Sequence, residues 1–175
     1  MAVQLKILVQ NKYEATEEFR TVNAVAQRLH QHLCEPQVLT LLAEANQPGS
    51  SSSAVQNVFL EEAQELGFLS EKKGLFGKYA TSGLRPDYYL KIGKVGVLLE
   101  VERGKTIMNN MDLLDLWKCH ICAEANYLFL MVPLQLKHNK DAKPYNTFNM
   151  VVNRMSPFFE QENHTNVRAL FIFGY

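Results

Sequence analysis

Apolar and polar positions alternate along this chain with two different periods, and the changes of period mark out its elements. From Thr16 to Cys34, Phe19, Val22, Val25, Ala26 and Leu29 recur at helical spacing. Thr16 stands where a cap belongs, and Glu17 and Glu18 suit the positive end of a helix. Val38 to Ala45 reads as a second, short helix, and Ser53 to Leu66 as a third that stops at Gly67. Tyr88 to Ile92 and Val95 to Glu102 read as two strands around Gly93-Lys94. Beyond them the pattern predicts a helix over Asp112 to Ala125, a strand over Tyr127 to Leu134, a helix over Tyr145 to Phe159 and a closing strand over Val167 to Phe173. Met1 to Val9 is ambiguous, because Leu5, Ile7 and Val9 alternate like a strand.

Two stretches punctuate the chain: Gln47 to Ser53, rich in serine, and the charged Lys137 to Pro144. They divide it into a helical N-terminal arm or cap over 1–48 and a core over 53–175. The order helix, hairpin, helix, strand, helix, strand predicts the α/β class, a mixed central sheet with helices on its faces.

Length and composition narrow the function only a little. The 175 residues suit one domain, and 47% hydrophobic with 21% charged residues excludes a mostly disordered chain. Eighteen basic and eighteen acidic residues cancel, so attraction to nucleic acid has to come from local charge placement. The three cysteines suggest free thiols in a reducing compartment. With no signal-like or membrane-spanning run, the expected location is the cytoplasm, away from any membrane. Cys119-His-Ile-Cys122 lies in an apolar helical pattern without a second ligand pair, which favours buried thiols over zinc. Trp117 is expected in the core or between helix and sheet, and Asn110 as a helix cap. No phosphate-cradling glycine loop is present, and no organic cofactor is expected.

The hairpin concentrates the chemistry. With Gly93 and Lys94 as a two-residue turn, Ile92 faces Val95 and Asp87 faces Glu100. One side then carries Tyr88, Leu90, Ile92, Val95, Val97, Leu99 and Val101, all apolar. The other carries Asp87, Tyr89, Lys91, Gly96, Leu98, Glu100 and Glu102. A slip of one residue would drive the carboxylates into the apolar layer, so the register is determined. Two carboxylates ~5 Å apart repel by roughly 3 kcal/mol at an effective dielectric of about 20. Such crowding calls for a bound cation or a proton retained on one member. Hard oxygen ligands favour magnesium, manganese or calcium over zinc. Glu62 sits within the apolar stripe of its helix and is a candidate fourth acid, with a snorkelling edge residue as the alternative.

Pro86-Asp87, followed after twelve residues by Glu100-Val101-Glu102, resembles the motif of the PD-(D/E)XK nuclease superfamily. The final Glu in place of Lys resembles the BamHI/BglII-like restriction endonuclease variant. The likeness spans roughly 53–134 and implies a restriction-endonuclease-like core. It implies metal-dependent hydrolysis of DNA phosphodiester bonds with Mg2+ or Mn2+. Asp87, Glu100, the Val101 carbonyl and Glu62 would be the ligands, and Glu102 would orient or deprotonate the attacking water. The missing lysine charge would come from Lys118 on the next helix or from Lys105. Lys72, Lys73, Lys78, Arg85, Arg103 and Lys105 form a locally basic stretch suited to DNA phosphates. Cutting both strands would suit a homodimer. The alternative is a catalytically silent nucleic-acid-binding or regulatory module on the same fold.

Overall fold

The computed structural model describes residues 2–47, 49–70, 73–79, 84–104, 106–137, 143–161, 163 and 165–175. Three strands with nearly unbroken apolar sequences form its centre: β4 (Val95–Val101), β5 (Tyr127–Val132) and β6 (Ala169–Gly174), every residue of which is buried. Such strands are stable only where both sheet faces are covered, and these three run parallel. β3 (Tyr88–Ile92) and the two-residue β2 (Leu69–Ser70) extend one side antiparallel, and β1 (Gln4–Val9) pairs antiparallel with β6 on the other. The six-stranded order is β1-β6-β5-β4-β3-β2.

Helices α2 (Glu17–Leu33), α3 (Pro36–Ala45) and α4 (Ser52–Glu65) cover one face, meeting Val97, Leu99, Phe129 and Phe171. Helices α5 (Met111–Ile121) and α6 (Thr147–Met155) cover the other, over Leu98, Leu128, Leu130 and Ile172. The short α1 (Asn11–Glu14) links β1 to α2. A mixed central sheet flanked by helices is therefore the fold, as the order of elements predicted. Among the described residues, no helix is long and apolar enough to cross a membrane.

The local devices are largely the expected ones. Thr16 Oγ1 accepts the Phe19 amide at 3.2 Å, and Gly67 leaves α4 with φ of 91°. The hairpin pairs Ile92 with Val95 and Tyr88 with Leu99, the anticipated register, and Gly93 turns it with φ of 53°. Gly96 is required by close approach: a Cβ there would lie 2.3 Å from the Glu124 carbonyl oxygen.

Three expectations change. The stretch 1–48 is built into the body instead of forming an appended arm: β1 is a sheet strand, and Val22, Leu29, Val38 and Leu42 share the core with α4. Its apolar stripes are buried against the same sheet that the later helices need. Trp117 is 41% exposed, because Leu116 and Cys119 occupy the inward positions of α5. Asn110 has a left-handed backbone and makes no side-chain cap; its Oδ1 accepts from Arg154 at 2.7 Å.

Candidate active site

The hairpin register brings Asp87, just before β3, beside Glu100 near the end of β4. The Val101 amide donates to Asp87 Oδ2 at 2.8 Å, and the Asp87 amide donates to Glu100 Oε2 at 3.3 Å. Each carboxylate is thus held by the other's strand. Glu102 continues the ladder, its amide donating to Met131 O at 2.9 Å, while Tyr175 Oη donates to the Glu102 carbonyl at 2.9 Å. Asp87, Glu100 and Glu102 lie where β4 ends, and β5 and β6 run parallel to it. Open α/β sheets bind ligands outside this carboxyl edge of their strands.

α5 supplies two further charges. Asp115 and Lys118 are three residues apart and share its sheet-facing side with Leu116 and Cys119. Lys118 Nζ lies 2.7 Å from Glu100 Oε1 and 2.8 Å from Asp115 Oδ1. All three are nearly withdrawn from water, at 8% exposure for Lys118, 3% for Glu100 and 0% for Asp115. Lys118 was anticipated; Asp115 was not. The signal for Asp115 was available, because it falls on the apolar stripe of α5, the same reasoning that singled out Glu62.

Four carboxyl groups around one ammonium cannot all ionise cheaply. Burial, followed by repulsion from Asp115, pushes the Glu102 carboxyl up to about 9. Burial and Asp115 also push Glu100 up to about 8, against the opposing pull of Lys118. Asp115 rises less, to about 6, because the nearby Lys118 charge offsets much of its burial. Burial opposes the charge on Lys118, but Asp115 and Glu100 outweigh it and raise its pKa. Near neutral pH, burial thus favours a retained proton within the Glu100 and Glu102 pair, beside a charged Lys118.

The donor chemistry fits a hard divalent cation: every side chain offers carboxylate oxygen. Glu100 Oε1 and both Asp115 oxygens are buried and receive no well-aligned hydrogen bond; their compensation is the nearby ammonium charge. Among the described residues, no three His, Cys, Asp or Glu side chains stand at the spacing of a bound ion. The ammonium of Lys118 lies between Glu100 and Asp115 instead.

The remaining expected residues are distributed elsewhere. Glu62 is 3.1 Å from Arg28 and 3.9 Å from His32, between α2 and α4 on the opposite sheet face from α5. The structure places it beside those side chains, because α4 turns Val55, Phe59 and Ala63 to the core and leaves Glu62 beside α2. Arg103, expected on DNA, donates to the carbonyls of Ser50, at 2.7 Å, and Gln47, tying down the serine-rich link. Lys73, Lys78 and Arg85 are exposed, as phosphate contacts need to be, and Lys78 stacks over the Tyr79 ring. Lys72 and Lys105 lie outside the described residues. Cys119 and Cys122 are buried, and burial raises both thiols above their ordinary pKa.

Comparison with protein-family models and with curated proteins gives no match. Among solved structures, the chain is similar to the crystal structure of restriction endonuclease BGLII complexed with a DNA 16-mer. The TM-score is 0.47 at 12% sequence identity, covering 99% of this chain and 78% of that chain. At that level, family membership is not assigned.

Proposed function

We propose that this protein is a metal-dependent endonuclease that hydrolyses DNA phosphodiester bonds. The observation that carries the reading is the cluster of buried Glu100, Asp115 and Lys118 with half-buried Asp87 and Glu102, at the carboxyl edge of the parallel strands. Stability alone does not favour such crowding; chemistry on a phosphate does. In this reading Asp87, Glu100 and the Val101 carbonyl hold Mg2+ or Mn2+. The ion, when bound, polarises the phosphate and lowers the pKa of a water. Glu102 would orient that water and, once ion binding has displaced the proton that burial holds on it, accept the water's proton. Lys118 provides the positive charge that the Glu102 position lacks, acting on the phosphate oxygens. Lys73, Lys78 and Arg85 contact the backbone of the duplex. A cytoplasmic homodimer would place one site on each strand. Glu62 has no part in this scheme, since Arg28 and His32 already engage it.

One observation favours a second reading, a catalytically silent nucleic-acid-binding or regulatory module. The ammonium of Lys118 and the proton on Glu102 balance much of the cluster's charge without an ion.

Supercoiled plasmid incubated with the full chain in Mg2+ or Mn2+ separates the two. Nuclease action predicts nicking that stops with chelator and falls at least about 100-fold in Asp87→Asn and Glu100→Gln, with circular dichroism unchanged. Variants that cut as fast as wild type would overturn the assignment. DNA binding without cleavage in either ion would establish the silent module.

A further inference from the structure

We infer that a cavity beside Tyr175 holds one unstacked nucleobase of the DNA strand, of the kind that carries an amine next to a ring-nitrogen acceptor, as cytosine and adenine do. The inference rests on the nucleic-acid reading above and adds a base pocket to its phosphate site.

The cavity opens at the carboxyl edge of the parallel strands, where α/β sheets bind ligands. Leu39, Leu42 and Ala43 of α3, with Asn46 at its end, meet Leu134, just past β5, and Tyr175, just past β6. Leu39, Leu42 and Tyr175 belong to the core on the sheet face opposite α5. The volume is about 200 Å3. That is below the roughly 300 Å3 at which pockets for drug-sized ligands begin, and suits a single ring system. Two consecutive residues of the active-site strand hold its walls. The Glu102 carbonyl accepts the Tyr175 hydroxyl at 2.9 Å. Arg103 donates to the carbonyls of Ser50, at 2.7 Å, and of Gln47, the residue after Asn46. A base in the cavity is therefore tied through the backbone to the strand that carries Glu100 and Glu102.

The walls select the class of ligand. Leucine side chains and the tyrosine ring offer apolar surface to the flat face of a base. At the polar end, Asn46 Oδ1 is buried and receives no hydrogen bond among the described residues. A buried acceptor without a donor is costly, and an exocyclic amine supplies the donor. With Oδ1 innermost, the amide accepts from that amine and donates to the ring nitrogen beside it, as asparagine does with adenine. Cytosine offers the same pair of groups, whereas thymine presents a carbonyl in place of the amine.

The test is binding of short single-stranded oligo-deoxycytidine and oligo-deoxythymidine to the full chain in chelator, by fluorescence anisotropy. Both are pyrimidines, and the first should bind at least about fivefold more tightly. Asn46→Leu should bring its binding down to the thymidine level. So should Ala43→Trp, which fills the cavity from an exposed position on α3. Thymidine binding and thermal melting should stay at wild-type values in both variants, which guards against misfolding. Equal binding of the two strands, no binding of either, or a preference that both variants retain overturns the base pocket. The nuclease reading then still stands or falls by plasmid nicking alone. Deoxycytidine monophosphate competing as well as the oligonucleotide would make this a free-nucleotide site and overturn its role in holding the strand. A preference lost in both variants of a chain that never nicks plasmid keeps the pocket and overturns the endonuclease reading instead.

Discussion

Replacing Glu102 by Gln should flatten the pH dependence of stability, by an amount that follows from the site. Glu102 is half-buried near Asp115, and its carboxyl is raised from 4.5 to about 9. The unfolded chain releases this proton near 4.5, whereas the folded chain keeps it. For a raised acid, the stabilisation is complete below the unfolded pKa and disappears as pH rises to the folded one. Each retained proton costs about 1.4 kcal/mol per pH unit across that window. From pH 5 to 8, Glu102 alone therefore lowers stability by about 4 kcal/mol. Glutamine has the same shape and carries no titrating proton. Urea denaturation at pH 5, 6, 7 and 8 in chelator should show the two proteins within about 1 kcal/mol at pH 5 and the variant ahead by about 2–4 kcal/mol at pH 8. Parallel curves for wild type and variant would refute the argument, because they would mean that Glu102 ionises in the folded protein as it does in the unfolded chain.

Two other perturbations test the scaffold that positions the site. Gly96→Ala should destabilise by about 1–3 kcal/mol in urea, since its Cβ would press on the Glu124 carbonyl and the Tyr89 ring, both within 2.6 Å. Arg103→Met should leave the cluster of Asp87, Glu100 and Lys118 intact but raise amide hydrogen exchange in the segment around Gln47 and Ser50, whose carbonyls Arg103 binds. If exchange there stays at the wild-type rate, Arg103 remains available for DNA.

The hairpin was the most legible part of the fold, because strand alternation fixes a face and a two-residue turn fixes a register. Those two facts were enough to put Asp87 opposite Glu100. Helix α2 was legible for the same kind of reason, from a cap at Thr16 and a clean stripe. What the sequence obscured were long-range partnerships. The alternation of Leu5, Ile7 and Val9 suggested a strand, but nothing local indicates that it pairs with β6, more than 150 residues later. Glu62 and Asp115 carried the same signal, an acid on an apolar stripe, and met different fates. α4 delivers Glu62 to Arg28 and His32, whereas α5 delivers Asp115 to Lys118 and Glu102. Periodicity says that such an acid has a partner; only the packing of helices on opposite faces of the sheet says which.

The cluster's charge also limits the mechanisms open to it. Four carboxyl groups and one ammonium leave an excess of three negative charges if every group ionises. A nearly dry site does not sustain that excess. Protons can remove it, as the raised values of Glu100 and Glu102 indicate, or a divalent ion can remove most of it at once. Proton-loaded and ion-loaded forms are therefore alternative solutions to one electrostatic problem, and ion binding must expel protons. Mn2+ binding measured in buffers of different ionisation heat should release about one proton near pH 7, more than an exposed carboxylate site would. Binding with no proton release would mean that the ion enters somewhere other than this cluster, and the assignment of Asp87 and Glu100 as its ligands would fail.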